Sequence, residues 1–127
     1  MTFSLGPRSR ERLQGVHADL VKVVERALQI SLVDFTVTEG LRSVKRQEQL
    51  VAQGASRTMN SRHITGHAVD LAPIIDGKVS FAWPPFYDIA DAMKKAAAEL
   101  GVAIVWGGDW RTFKDGPHFE LDRKAYP

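Results

Sequence analysis

The sequence has no cysteine among its 127 residues. Disulfide bonds and thiolate-bound metal ions are therefore excluded, and any metal ion must be bound by histidine, aspartate or glutamate. That ligand set favours a catalytic metal site over a closed structural one. The sequence also lacks an apolar run of membrane-spanning length, and its N-terminus lacks the apolar segment of a secretory signal peptide. We therefore expect synthesis in the cytoplasm, no signal peptide and no insertion into a membrane.

A large charge of one sign is also missing. The formal net charge is +2, and lysine and arginine are interleaved with aspartate and glutamate instead of being clustered. This charge pattern is weak evidence for nucleic acid, which is typically bound by a concentrated basic surface, and on charge alone the cell wall, nucleic acid and acidic peptides all remain possible partners. The length and the 44% hydrophobic content predict one globular domain, residues 1–127, with its own core.

The spacing of apolar residues predicts an alternation of helices and strands. Steps of three and four residues predict an amphipathic helix over residues 9–29, a second over residues 43–54, and a third that begins at Pro84 and ends at Gly101. Short β-prone runs predict five strands, at residues 34–40, 68–73, 79–83, 102–106 and 118–121, and Pro73 is expected to close the second. A turn signal at residues 76–78 predicts a hairpin. This order predicts an α+β fold in which helices pack against an antiparallel or mixed β-sheet.

The segment SRHITGHAVD, residues 61–70, places two histidines and an aspartate within eight residues. In a helix, His63, His67 and Asp70 would lie on one face and form a complete local metal site. However, a β-branched pair precedes Gly66 and strand-like residues follow, so a loop that runs into a strand is favoured. In that case His63 and Asp70 converge from two sides of the turn, and a third ligand must come from elsewhere.

The candidates for a third ligand are the two other histidines. His17 is expected inside the first helix, where a partly buried or surface histidine is ordinary. His118 begins the last predicted strand and follows Asp115 by three residues. A carboxylate close to a metal ligand can act as general base on the metal-bound water. On the residues alone, His118 can equally be a strand-end residue that follows a turn.

Three segments together resemble one family of zinc peptidases. SRHITGHAVD matches the Ser-x-His-x-x-Gly-x-Ala-x-Asp signature of the family that includes D-Ala-D-Ala carboxypeptidases, D-Ala-D-Ala dipeptidases and bacteriophage L-alanyl-D-glutamate endolysins. WGGDWRTFKDGPHFEL resembles a second signature of the phage branch, in which an acid lies three residues before the last zinc-binding histidine. EGLRSVKRQEQLVAQGAS resembles the segment that carries the active-site arginine. The resemblance covers residues 39–121.

The resemblance implies the hedgehog/DD-peptidase-like fold and one bound Zn²⁺. It implies three zinc ligands: His63, Asp70 and His118. His67 then becomes a neighbour of the site. The resemblance also implies Asp115 as the general base, and Arg42 as the cation that polarises the scissile carbonyl or steadies the oxyanion. Many relatives have glutamate in place of Asp115, whereas the phage branch commonly has aspartate.

Two further residues are expected to bind substrate. Ser61 either orients His63, contacts substrate or stabilises its own loop through the hydroxyl group. Trp110 lies in a glycine-rich loop and is expected to form a wall of the substrate cleft. Trp106 ends an apolar strand and is expected in the core.

The activity that the resemblance implies is hydrolysis of the L-alanyl-D-glutamate bond in the peptidoglycan stem peptide, with a metal-activated water. The protein would then be a monomeric endolysin, made in the host cytoplasm, that acts on the cell wall after release and has no separate cell-wall-binding domain. Two alternatives remain from the sequence: a D-Ala-D-Ala carboxypeptidase or dipeptidase of the same family, and a non-catalytic domain that keeps zinc for structure or binding. A third, a basic nucleic-acid-binding domain with incidental histidines, would leave the three matched segments unexplained, so we expect no nucleic acid as a partner.

Overall fold

The structure is a computed structural model that describes residues 3–56 and 58–127. Within these residues the α-helices are α1 Pro7–Arg12, α2 Ala18–Ile30, α3 Val44–Ala52 and α4 Trp83–Leu100. The strands are β1 Asp34–Glu39, β2 Ala68–Ile75, β3 Lys78–Val79, β4 Ile104–Trp106 and β5 His118–Leu121, and a short 3-10 helix, Gly107–Asp109, follows β4. In this described part no helix has both the length and the apolar character needed to cross a bilayer.

The strands form one antiparallel sheet in the order β1-β2-β5-β4, and β3 pairs with β2. The sheet and its helices confirm the predicted α+β class. Strand β2 is the longest strand, and it pairs with three others. It pairs with β1 along most of its length, with β5 at residues 68–70 and with β3 at residues 74–75. The two strands with the site residues, β2 and β5, are therefore neighbours at the centre of the sheet.

The core lies between the sheet and the helices α2 and α4, which pack against each other. The apolar side chains of α2 and α4 meet Val69 and Leu71 of β2, and Phe119 and Leu121 of β5, in one buried cluster. Because side chains alternate along a strand, the residues between these four point to the opposite face of the sheet. That opposite face is where the polar residues of β2 and β5 are placed.

The single helix predicted over residues 9–29 is wrong: helix α1 ends at Arg12 and α2 begins only at Ala18. Gly15, at φ +83°, turns the chain between them, and His17 caps α2 by accepting a hydrogen bond from the Asp19 amide at its Nδ1 atom, 3.1 Å away. Leu13 and Val16 of the connection remain buried. Because both side chains face the core, the apolar residues recur at helical spacing although the backbone between α1 and α2 is not helical.

Two strand boundaries also differ from the prediction. Strand β2 does not close at Pro73 but runs on to Ile75, because Ile74 and Ile75 pair with β3. Pro73 itself lies opposite Phe35 of β1. The hairpin at Asp76 and Gly77 is confirmed, and both residues have positive φ, as a tight two-residue turn requires. Its second strand is shorter than predicted, because β3 covers only Lys78–Val79 and α4 already begins at Trp83.

Candidate active site

The site is built on a cross-strand pair. Asp70 of β2 lies opposite His118 of β5 in the antiparallel register. Their chain neighbours Val69 and Phe119 point into the core, so Asp70 and His118 point to the other face of the sheet. The Asp70 Oδ1 and His118 Nδ1 atoms are 3.5 Å apart.

His63 reaches the same point from the turns that precede β2. Its Nδ1 atom donates to the Gly40 carbonyl at 2.9 Å, and its own carbonyl accepts from the Arg42 amide at 2.9 Å. These two bonds fasten the segment after β1 to the segment before β2. They leave His63 Nε2 facing Asp70, 3.2 Å from Oδ1.

His63, Asp70 and His118 offer one ligand atom each, and these atoms lie within 4.8 Å of one another. The hydrogen bond of His63 Nδ1–H to a carbonyl fixes the tautomer that leaves a lone pair on Nε2. His118 is held in the same way, because its Nε2 bonds to Glu120 and its Nδ1 faces Asp70. Two imidazoles and a carboxylate with fixed orientations can bind a metal ion, and this donor set fits zinc.

The carboxylate of Asp70 and the imidazole rings of His63 and His118 shift the pKa values of the cluster. Burial alone would raise the pKa of Asp70, but hydrogen bonds from His118 and His63 hold it well below its usual range. Burial lowers the pKa of His118, whereas its bonds to Asp70 and Glu120 outweigh this and raise it to about 9. Without a metal ion, the proton on His118 thus compensates the carboxylates that face it.

Glu120 is a neighbour of the candidate ligands that the sequence analysis did not identify. Its Oε1 atom lies 2.8 Å from His118 Nε2, and its side chain is only 10% exposed. The two residues are neighbours because they are two apart on one strand, and such residues share a face of the sheet. That strand spacing was visible in the sequence and could have indicated the pair.

Arg42 lies beside the cluster with a buried side chain. Its Nε and Nη2 atoms donate to the two carboxylate oxygens of Glu39, at 2.8 Å and 2.6 Å, and Nη1 donates to Gln47 at 2.8 Å. Nη2 is 3.7 Å from Asp70 Oδ2. Burial by itself lowers the pKa of Arg42, but the bonded Glu39 raises it, so this side chain keeps its positive charge.

Asp115 lines the same cavity as the three candidate ligands. Its backbone amide donates to the Gly107 carbonyl at 3.0 Å, and the loop packs so closely that a Cβ atom on Gly107 would collide with the Asp115 backbone. Burial raises the pKa of Asp115, and the negative charge of Asp70 raises it further. A carboxylate with a raised pKa beside a candidate metal site is suited to accept a proton.

The cavity has a volume of about 410 Å³, and its lining includes the three candidate ligands together with Arg42, Asp115 and Glu120. The wall residues include Leu50, Ser56, Thr58, Asn60 and Phe113 in addition to the residues described above. Trp110 also lines it, with its ring centroid 5.0 Å from that of His118. Ser61 lines it as well; its hydroxyl accepts from the His63 amide at 3.2 Å and faces Arg42 Nη1 at 3.5 Å.

The two remaining histidines lie together elsewhere. The rings of His17 and His67 are 5.7 Å apart, and Tyr126 packs edge-on against His17. The His67 Nδ1 atom lies 2.6 Å from the hydroxyl of Thr65. Residues 62–66 form turns and not a helix, so the arrangement that would have brought His67 to the ligands does not occur.

Comparison with known proteins assigns the chain to a family. A family model described as phage L-alanyl-D-glutamate peptidase matches residues 1–126. The chain belongs to the phage L-alanyl-D-glutamate peptidase family. This membership confirms the resemblance seen in the sequence.

Relatives within and beyond phages support the membership in the L-alanyl-D-glutamate peptidase family. The L-alanyl-D-glutamate peptidase of Escherichia phage T5 is 38% identical over 130 residues, 99% of this chain and 94% of the phage protein. The peptidoglycan L-alanyl-D-glutamate endopeptidase CwlK of Bacillus subtilis (strain 168) is 35% identical over 104 residues, 70% of this chain and 61% of its own length.

A solved structure of similar fold is the L-Ala D-Glu endopeptidase ChiX of Serratia marcescens. It aligns with a TM-score of 0.93 and 50% sequence identity, over 99% of this chain and 95% of that chain. The α+β fold of this chain is therefore shared with a solved L-Ala D-Glu endopeptidase.

Proposed function

We propose that the protein is a zinc-dependent endopeptidase that hydrolyses the L-alanyl-D-glutamate bond of the peptidoglycan stem peptide. The observation that carries the proposal is the convergence of His63, Asp70 and His118 in one cavity with Asp115 and Arg42. The choice of the L-alanyl-D-glutamate bond is supported by the names of the relatives from phage T5, Bacillus subtilis and Serratia marcescens. The cavity supplies a set of groups suited to that chemistry.

Zinc is proposed as the metal because the donors are two histidine nitrogens and one carboxylate oxygen. His63 Nε2, Asp70 Oδ1 and His118 Nδ1 would hold it, and each imidazole is already oriented through its other nitrogen. When bound, zinc supplies a Lewis acid that lowers the pKa of a bound water to about 7 and polarises a carbonyl.

Asp115 is proposed as the general base. Its carboxylate takes a proton from the attacking water and passes it to the nitrogen of D-glutamate as the C–N bond breaks. Its raised pKa keeps that carboxylate basic enough for the transfer. Asp115 lies in the loop that follows the 3-10 helix, and the bond from its amide to Gly107 holds that loop at the cavity.

Arg42 is proposed to stabilise the oxyanion that forms on the L-alanine carbonyl. Glu39 binds one edge of the guanidinium, and Nη1 is the group that faces Ser61 at the cavity wall. Removal of one such donor typically costs about 3 kcal/mol of transition-state stabilisation. Trp110 and Ser61 are proposed to contact the substrate, Trp110 with its ring and Ser61 with its hydroxyl group.

The biological role that follows from this proposal is degradation of bacterial peptidoglycan. We propose that the protein reaches the cell wall after synthesis in the host cytoplasm, that residues 1–127 act as one catalytic domain, and that they act as a monomer. The substrate is the stem peptide alone, with no nucleic acid involved.

Digestion of purified peptidoglycan tests the proposed bond. We expect the zinc-loaded protein to release fragments with new L-alanine carboxyl ends and D-glutamate amino ends, identified by mass spectrometry. Release of D-alanine alone would instead identify a D-Ala-D-Ala carboxypeptidase or dipeptidase. No new ends in the presence of stoichiometric zinc would favour a non-catalytic binding domain.

A further inference from the structure

A buried glutamine connects Arg42 to the wall of the cavity. Gln47 lies on α3 with 0% of its surface exposed. Its Oε1 atom accepts from Arg42 Nη1 at 2.8 Å. Its Nε2 atom donates to the Ser56 hydroxyl at 2.8 Å and to the Thr58 carbonyl at 2.5 Å. Both ends of the amide are therefore engaged, one by the arginine and one by the cavity wall.

We propose that Gln47 is a positioning residue for the peptidase reaction. It holds the guanidinium of Arg42 and the wall residues Ser56 and Thr58 in one fixed arrangement. The inference rests on the oxyanion role proposed for Arg42, and it adds a residue that does not itself contact substrate. Arg42, Ser56 and Thr58 belong to the described lining of the cavity, whereas Gln47 lies behind it.

The chemistry of the neighbours defines the orientation of the amide. A guanidinium has only donors, so the atom that faces Arg42 must be Oε1. The Thr58 carbonyl has only acceptors, so the atom that faces it must be Nε2. A flipped amide would lose both bonds inside a buried site, where an unsatisfied polar group typically costs about 1–3 kcal/mol. Gln47 thus has one favourable orientation, and in that orientation its Oε1 atom fixes the position of Arg42 Nη1.

The absence of charge on Gln47 also has a function in this arrangement. Glu39 already offsets part of the positive charge of Arg42 through two hydrogen bonds. Gln47 fixes Nη1 without adding a second carboxylate. The guanidinium therefore keeps positive charge for an oxyanion while its position is fixed on two sides.

Substitution Gln47→Met tests the inference, because methionine has a similar volume and lacks the amide. We expect kcat on a stem peptide to fall about tenfold to a hundredfold, the cost of misplacing a group at a reacting centre. KM should change less than about threefold, because Gln47 is outside the cavity. Zinc content should not change. The matched control is Gln49→Met on the exposed side of the same helix, which should retain wild-type kcat.

A double-mutant cycle separates positioning from a merely structural role. If Gln47 acts through Arg42, Gln47→Met should reduce kcat much less in an Arg42→Lys protein than in the wild type. Equal fold-losses in both backgrounds would overturn the inference. If Arg42→Lys itself retained wild-type kcat, the oxyanion role proposed for Arg42 would fail instead, so the two failures are distinguishable.

Gln47→Glu keeps the inference testable if Gln47→Met does not fold. The carboxylate still accepts a hydrogen bond from Arg42, but it adds negative charge and cannot donate to Ser56 or Thr58. We expect a lower kcat with KM changed less than about threefold. Wild-type kcat in this variant would contradict the proposed function of the neutral amide.

Discussion

His118 is held between two carboxylates, with Nδ1 3.5 Å from Asp70 and Nε2 2.8 Å from Glu120. One carboxylate comes from the paired strand and the other from the same strand, two residues further along. A histidine bound in this way has its ring plane fixed before a metal ion arrives, and the carboxylate of Glu120 can keep the Nε2 proton when Nδ1 binds the metal.

Glu120→Gln should weaken zinc binding. The amide can still accept a hydrogen bond from His118 Nε2, but it does not increase the basicity of the ring as a carboxylate does, and such changes typically cost about tenfold to a hundredfold in metal affinity. Competition with a chromophoric chelator measures the affinity. Glu48→Gln, at an exposed position on α3, is the control and should bind zinc as the wild type does. Unchanged affinity in Glu120→Gln would contradict the orienting role.

The two histidines of the segment at residues 61–70 should differ in their effect on zinc. His63→Ala should abolish stoichiometric zinc, because two protein ligands then remain. His67→Ala should retain it, since His67 packs near His17 outside the cluster. Elemental analysis of the purified variants measures both. Loss of zinc from His67→Ala, with His63→Ala unaffected, would reverse the proposed ligand assignment.

Asp115→Asn should retain zinc and lose activity. The amide has nearly the same shape as the carboxylate but cannot take a proton from water, and general-base catalysis typically contributes about 10²- to 10⁴-fold. We therefore expect kcat to fall by that factor with a normal zinc content. Steady-state kinetics on a stem peptide and metal analysis of the same sample check both parts. Residual activity near that of the wild type would exclude Asp115 as the base.

The stability of the metal-free protein should decrease between about pH 6.5 and pH 9. The pKa of His118 is raised to about 9 in the folded state, from an ordinary value near 6.5. A histidine whose pKa is raised by folding stabilises the folded state fully at pH values below its pKa in the unfolded state. This stabilisation is lost as the pH rises through its pKa in the folded state. The loss should be on the order of a few kcal/mol. The lowered pKa of Asp70 does not affect this window, because that contribution is lost only in acid.

Denaturant unfolding with a chelator present, at pH values from 6 to 9.5, measures this decrease. His67→Gln should show the same decrease, because the pKa of His67 is lowered and its titration lies below the window. Stability that is constant or that rises from pH 6.5 to pH 9 would contradict the proposed charge balance at His118.

Gly66→Ala should destabilise the fold more than Gly54→Ala. Both glycines have φ +76°, so both alanines carry the same backbone strain of about 1–2 kcal/mol. A Cβ atom at Gly66 would also collide with the Gly15 carbonyl, whereas a Cβ atom at Gly54 meets nothing within 4 Å. The difference in Tm between the two variants, measured by thermal unfolding, reports the cost of the close contact between Gly66 and the Gly15 carbonyl. Equal changes in Tm would contradict that contact.

Local patterns predicted several elements well. Strands β1 and β5, helix α3 and the C-terminal end of α4 at Gly101 follow the apolar periodicity and the glycine signals. The predicted helix over residues 9–29 is wrong because Leu13 and Val16 are buried in a turn, and burial produces the same apolar spacing in either backbone. Periodicity reports which side chains face the core and does not by itself report the backbone between them.

The sequence by itself determined the donor chemistry of the site. Without cysteine, only imidazoles and carboxylates can bind a metal ion, and the three matched segments supply His63, Asp70, His118, Asp115 and Arg42 in a fixed order along the chain. These residue types limit the chemistry before any fold is known.

Only the tertiary structure decided which of these groups meet and what holds them. The antiparallel register places Asp70 opposite His118, and the alternation of strand side chains brings Glu120 to the same face. Gln47 bonds at one end to Arg42, which precedes α3, and at the other to Ser56, which follows it. The contacts of Asp70 with His118 and of His63 with Asp70 depend on strand pairing and on the packing of separate segments, which spacing along the chain does not encode. The His118–Glu120 pair is local and follows from the alternation of side chains along one strand.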